Sequence, residues 1–230
     1  MRTFLLIIAA LSLSALVSAD ADKISFGSFA KSGLEGWETK IFKGETDYRI
    51  VEDDGQKVLQ AESLAAASGL VFETEYDPTV YPVLSWRWKI NHILTKGDSR
   101  TRSGDDYAAR IYVIFPHWFF PKTKTLNYIW ANRLPKEAIQ PNAYTGNAMM
   151  IAVESGDEKA GQWITVRRNI IEDYRRAFGE DPPNVGAIAI MTDTDQTKES
   201  AIAWYSDIEA SRQEDLFLDV IPVETSNFCF

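Results

Sequence analysis

An all-β fold is predicted for this chain: a two-sheet antiparallel β-sandwich with one short helix near 169–179. Three observations carry the prediction. Short segments that alternate between apolar and polar residues recur along the sequence. Turn-forming groups such as Asp53-Asp54-Gly55, Asp77-Pro78, Lys96-Gly97-Asp98 and Ser155-Gly156-Asp157 separate them. A single stretch has the helical period instead, and about a dozen strands at this spacing suit two packed sheets.

Ahead of the strands lies a leader. Arg2 supplies a positive start, 4–17 is apolar and uncharged, and Val17-Ser18-Ala19 places small residues where a signal peptidase reads. Residues 1–19 are therefore expected to be a signal peptide cleaved near Ala19, with Ala19-Asp20-Ala21 as a second cut. The run is too short and too close to its cut to span a membrane. No Cys follows it, so a lipid anchor has no attachment atom. The expected location is the periplasm or the medium. Removing the leader leaves 211 residues, enough for one core. A single β-sandwich domain is expected at 20–210, followed by a C-terminal tail at 211–230.

Strands are predicted at 23–29, 38–42, 48–52, 57–63, 67–76, 83–90, 106–115, 125–131, 147–154, 163–168, 185–192 and 200–210. In the helical stretch Asn169 is suited to cap the N-terminus, and Ile170, Ile171, Tyr174 and Phe178 form one stripe. Gly179 is suited to end it, and Pro182-Pro183 forbids continuation.

Composition narrows the function. With 33 acidic and 24 basic residues the formal charge is −9. Nucleic acid and anionic membrane surfaces repel such a chain, so neither is an expected partner. Cys229 is the only cysteine, so no internal disulfide forms and stability must come from packing. Cysteine zinc sites are excluded, and His92 and His117 are few for a histidine site. There is no G-x-S-x-G elbow, no H-E-x-x-H and no nucleotide-binding fingerprint. Aromatic residues reach 12%, with seven Trp, enough to build a core or to stack on sugars.

Alternation sorts the side chains of each strand. In 83–90, Leu84, Trp86, Trp88 and Ile90 share a face that their aliphatic company marks as core. Ser85, Arg87 and Lys89 share the other. In 106–115, Tyr107, Ala109, Ile111, Val113 and Phe115 form an apolar face, and Asp106, Ala108, Arg110, Tyr112 and Ile114 the opposite one. If these two strands pair, Arg87, Lys89, Asp106 and Arg110 meet on one charged sheet face, a polar groove for hydroxyls or a carboxylate. The plainer alternative is an ion-pair ladder that fixes register. In 200–210, Tyr205 and Asp207 share one face, while Trp204 and Ile208 fall on the other, expected in the core. The candidate ligand-binding set is thus Arg87, Lys89, Asp106, Arg110, Tyr112 and Tyr205.

A second acidic group alternates carboxylates with hydroxyls in Thr192-Asp193-Thr194-Asp195-Gln196-Thr197. That pattern suits a hard cation such as calcium, with Asp193 and Asp195 as ligands and Asp105 and Asp106 as sources of further oxygens if the loops share one end. The alternative is an Asx-rich turn whose side chains satisfy one another. Trp118, Phe119 and Phe120 lie between Pro116 and Pro121. Three aromatics there suit a pocket lip, a partner contact or folding back over the core.

Four segments carry a family resemblance. They are Leu84-Ser85-Trp86-Arg87-Trp88-Lys89, the stretch from Gly104 to Phe115, Arg168-Asn169-Ile170-Ile171-Glu172-Asp173-Tyr174, and Met191-Thr192-Asp193-Thr194-Asp195. Together they resemble secreted bacterial proteins grouped as domain of unknown function 3047, over about 26–209. The resemblance implies a periplasmic or secreted protein and transfers no activity. Gly33-Leu34-Glu35-Gly36-Trp37 and Trp204-Tyr205-Ser206-Asp207-Ile208 are similar to the first and last strands of galactose-binding-like jelly rolls, as in carbohydrate-binding modules. The combined expectation is an exported, non-catalytic sandwich that binds a carbohydrate or cell-envelope glycan. The alternatives are a polysaccharide hydrolase or lyase using Arg87, Lys89, Asp106, Arg110 and a nearby Tyr, and a periplasmic interaction module using the 118–120 loop.

Overall fold

The computed structural model describes residues 19, 20, 22–26 and 28–212. The expected leader up to residue 18, and the expected tail beyond Arg212 with Cys229, lie outside the described residues. Two sheets face each other. The first runs β4 (Asp47–Asp53), β5 (Gln56–Leu64), β14 (Ser200–Ser211), β7 (Val83–Ile90) and β12 (Ile164–Asn169). Beside the last residues of β14, β2 (Lys23–Ser25) takes the place of β5, and β1 (Ala19–Asp20) pairs with β2. The second sheet runs β10 (Ile139–Pro141), β11 (Ala148–Ser155), β9 (Lys124–Ala131), β8 (Tyr107–Phe115), β13 (Val185–Asp193), β6 (Ala67–Tyr76) and β3 (Trp37–Lys43). The chain crosses between sheets at β2–β3, β3–β4, β5–β6, β6–β7, β7–β8, β11–β12, β12–β13 and β13–β14, as in a jelly roll. One departure from the antiparallel expectation is that β9 and β11 pair in parallel.

Between the sheets lies an aromatic spine. Trp86 and Trp88 of β7 meet Tyr128 and Trp130 of β9, with ring centroids 5.2 Å apart for Trp86–Tyr128 and 5.9 Å for Trp88–Trp130. Each such ring removes about 150–250 Å² from water. Truncating any one to Ala is expected to cost about 3–5 kcal/mol. With no internal disulfide, this packing is what holds the sheets together. Helix α1 (Ile170–Phe178) follows β12 directly. Asn169 Oδ1 accepts from the backbone N–H groups of Ile171 (3.1 Å) and Glu172 (3.2 Å), and Gly179 ends the helix at φ 74°. Tyr174 then packs its ring 4.6 Å from that of Phe115.

Two bulges overturn face assignments that strict alternation gives. On β8, Arg110 pairs with Met191 but Tyr107 with Asp193, so three residues oppose two. The extra residue inverts parity. Tyr107 therefore leaves the inner apolar face and lies beneath Arg110, whose guanidinium carbon is 4.4 Å from the ring centre. On β14, Ser206 pairs with Arg87 and Glu209 with Ser85, again three against two. Asp207 takes up the bulge at φ 53°. Tyr205 and Ile208 consequently both point into the core, whereas Trp204 and Asp207 face outward.

Candidate functional site

The open face of the first sheet is built from β7 outward. Its four inward side chains bury Leu84, Trp86, Trp88 and Ile90, and so force Ser85, Arg87 and Lys89 to the surface. The neighbouring strands complete a row. Lys89 pairs across β14 with Trp204, Trp204 with Gln60 of β5, and Gln60 with Arg49 of β4. On the other side Trp163, just before β12, stands beside Lys89, since Ile164 pairs with Trp88. Lys89 Nζ is thus 4.6 Å from the Trp204 ring centre and 5.3 Å from that of Trp163, and the Arg87 guanidinium is 5.0 Å from Trp163.

Carboxylates fix these cations. Asp53 and Gln56, at the base of the β4–β5 turn, reach across the face to β7. Lys89 Nζ donates to Asp53 Oδ1 (2.7 Å) and Oδ2 (2.6 Å), and Trp163 Nε1 donates to Asp53 Oδ2 (2.7 Å). The hydrogen bond from Lys89 holds the Asp53 carboxyl below the ordinary carboxylate range. Arg87 Nη1 donates to Gln56 (3.1 Å) and to Asp207 (3.3 Å). Beside this group opens a cleft of about 480 Å³ that shares Gln56 and Asp207 with Arg87 and is otherwise lined by Ser25, Ser28, Phe29, Lys57, Ser206 and Glu209, among others. The surface combines two half-buried indoles with fixed charges, amides and hydroxyls.

The predicted single charged face does not form. β7 and β8 lie in opposite sheets, so Asp106 and Arg110 never join Arg87 and Lys89. Arg110 is sealed instead, its side chain 4% exposed. Its guanidinium grips both oxygens of Asp193, with Nε at 2.8 Å from Oδ1 and one terminal nitrogen on Oδ2, and also donates to the Asp105 carbonyl. Burial opposes the charge on Arg110, but Asp193, Tyr112 and Asp105 raise its pKa well above the ordinary value. Tyr112 lies on the same outer side of the second sheet, its hydroxyl 3.5 Å from Met191 Sδ. Tyr205 is fully buried between the sheets, where its hydroxyl donates to the Met191 carbonyl at 3.0 Å. Tyr205 therefore has no place on either open surface.

Three of the four candidate acidic residues meet at one end of the sandwich. Asp106, Asp193 and Asp195 are all buried and bring carboxylate oxygens within 4.8 Å of one another. Asp105, the other candidate from the entry of β8, turns aside: its Oδ2 accepts from Asn142 Nδ2 at 2.8 Å. Adjacent residues at a strand entry point in opposite directions, which is why Asp106 joins the group and Asp105 does not.

The 118–120 loop does not fold back on the core. Trp118 is 92% exposed and Phe120 82%. Behind it a second cleft of about 590 Å³ is lined by His117, Lys122, Lys124, Tyr174, Glu180 and neighbouring residues. Sequence reading missed Trp163, Trp204, Asp53 and Gln56. Trp163 was detectable, because alternation places it opposite Ile164 and Val166. Trp204 was hidden by the bulge, and Asp53 and Gln56 by being turn residues.

Comparison with solved structures finds similar folds. A variant of CBM29-2, a family 29 carbohydrate-binding module, is 10% identical, covers 86% of this chain and 99% of its own, and has a TM-score of 0.43. CBM28, a carbohydrate-binding module specific for non-crystalline cellulose, is 16% identical over 80% of this chain and 91% of its own, with a TM-score of 0.43. The enzymatically active domain of bacteriophage CBA120 tailspike protein 4 is 11% identical over 83% of this chain and 21% of its own, with a TM-score of 0.44. Values this low leave function to the residues themselves. No curated protein matches the chain. Residues 35–209 match the family described as "Protein of unknown function (DUF3047)", and the chain belongs to it.

Proposed function

We propose that this protein binds a carbohydrate, in its natural setting a cell-envelope glycan outside the cytoplasm, and does so without chemistry. The observation that carries the reading is the row Trp163–Lys89–Trp204 on the open face of the first sheet. Sugar rings have apolar faces that stack on indoles and hydroxyl edges that take hydrogen bonds. Here two indoles are spaced by one strand, and Arg49, Gln60, Asp53, Gln56, Arg87 and Asp207 supply both donors and acceptors around them. The charges are already paired in place, so binding a neutral sugar needs no reorganisation of the site. The tight Lys89–Asp53 pair supports binding over catalysis. Both Asp53 oxygens accept from Lys89, and one also from Trp163 Nε1, so the carboxylate is already held as a fixed acceptor. Export rests on the apolar run at 4–17.

A glycan array probed with the wild-type protein and with Trp204→Ala tests the proposal. Binding of at least one glycan class by the wild type, and its loss in Trp204→Ala, is the expected result. Silence of the wild type across the array would refute it. One observation favours a second reading: the exposed Trp118 and Phe120 suit an interaction module that docks a protein through that loop. Retained function in Trp204→Ala together with loss in Trp118→Ala would favour that reading.

A further inference from the structure

We propose that Asp106, Asp193 and Asp195 form a calcium site that pins the entry of β8 to the turn joining β13 and β14. The proposal is independent of glycan binding. Three carboxylates from two separate segments converge, their ligand oxygens within 4.8 Å of one another. Two oxygens on opposite sides of a calcium ion, each about 2.4 Å from it, stand about 4.8 Å apart, so the set fits one coordination sphere.

The second observation is unsatisfied oxygen. Asp106 is fully buried and its Oδ1 has no hydrogen-bond partner, although its Oδ2 accepts from Thr197 N–H at 2.6 Å. Asp195 is 4% exposed, and its Oδ1 is likewise without a partner. Gln196 Oε1, in the same turn, is buried and unpartnered as well. Buried polar atoms normally find partners. Here the unpartnered Asp106 and Asp195 oxygens belong to carboxylates that converge, and a hard cation satisfies several such oxygens at once.

Neighbouring charge is compatible. Asp193 Oδ1 accepts from both Arg110 Nε and the Tyr107 N–H, but Oδ2 accepts from Arg110 alone, so of the about four lone-pair sites of the carboxylate one on Oδ2 remains for a cation. At the outer edge, Lys43 Nζ stands 3.4 Å from Asp195 Oδ2 and is mostly exposed. Lys198, also exposed, donates its Nζ to the Asp195 carbonyl, so two surface ammonium groups compete with a cation for this cluster. Nitrogen and sulfur ligands are absent from the group, which disfavours zinc.

Chelator-treated mature protein titrated with calcium chloride tests the site, read by calorimetry and by thermal unfolding. One calcium per chain and a rise in Tm of several degrees are expected, with magnesium at least tenfold weaker. Asp106→Asn, which keeps size and the Thr197 contact, is expected to abolish both effects. Lys43→Ala is expected to bind calcium several-fold more tightly. Calcium-displaceable terbium luminescence gives a readout that does not depend on unfolding, and Asp195→Asn stands in if Asp106→Asn fails to fold. The proposal is overturned if the wild type shows neither heat nor a Tm rise in millimolar calcium, if Asp106→Asn binds as the wild type does, or if Lys43→Ala loses binding.

Discussion

Arg87 and Arg110 occupy equivalent positions in the sequence. Each sits mid-strand among alternating apolar residues, and each points away from the inner face of its sheet. Their surroundings differ completely. Arg87 is 31% exposed and rests on an indole, an amide and a carboxylate that water also reaches. Arg110 is closed in by Asp105 and the Tyr107 ring, and the 98–105 segment is in turn held by Gln140 on the Ser99 carbonyl and Asn142 on Asp105. What separates them is not the strand but what the chain lays over it. A charge under a lid must be paired to exist there, and removing its partner leaves an ion without solvation. A charge on an open face costs little to keep and is available to a ligand.

The largest expected effect comes from breaking the sealed pair. Arg110→Met leaves Asp193 buried without its guanidinium and is expected to lower stability by about 3–5 kcal/mol. Urea unfolding measures it, and a loss below 1 kcal/mol would show that the pair is not sealed. Next is the open face. Trp163→Ala and Trp204→Ala are each expected to weaken glycan binding by at least tenfold, about 1.4 kcal/mol or more, in a protein that still folds cooperatively. Calorimetry with the glycan found on the array reads this, and an unchanged Kd in both would remove the row from the site.

A smaller effect is expected for Asp53→Asn, which frees Lys89. Both side chains keep some solvent contact, so the stability lost is at most about 1 kcal/mol, measured by the unfolding midpoint. The pH dependence has a definite sign. The folded Asp53 pKa is depressed, so the stability it contributes is complete above the ordinary carboxylate value of about 3.9 and is lost as pH falls through the lower folded value. Wild type and Asp53→Asn should therefore converge in stability only below about pH 4. Convergence at higher pH would mean that the contact with Lys89 is not an ion pair. The smallest effect belongs to Arg49→Ala, whose contacts with Asp47 and Glu62 are exposed; the midpoint should shift by no more than about 0.5 kcal/mol.

Much of the fold was legible in the sequence because two periods encode it. The alternation of 67–76 and 83–90 and the Asn169/Gly179 caps each act locally, and the structure places β6, β7 and α1 accordingly. Pairing was not legible. Nothing local distinguishes β14 from β8 as the neighbour of β7, and the expected charged face failed on that choice alone. The bulges at 107–110 and 206–209 were equally invisible, since one inserted residue leaves the composition of a strand unchanged while reversing its faces. The site that emerged draws on four strands, β4, β5, β7 and β14, and on Trp163 just before β12. Its members were named only where alternation alone sufficed, as for Arg87 and Lys89.

Oxidative footprinting of the tryptophans, with and without a saturating glycan, asks where the ligand lies. Trp86, Trp88 and Trp130 are buried and serve as internal controls. If the sugar lies on the first sheet, Trp163 and Trp204 become protected while Trp118 oxidises at its free rate. Protection of Trp118 with Trp163 and Trp204 unaffected would move the ligand to the aromatic loop and end the case for the sheet.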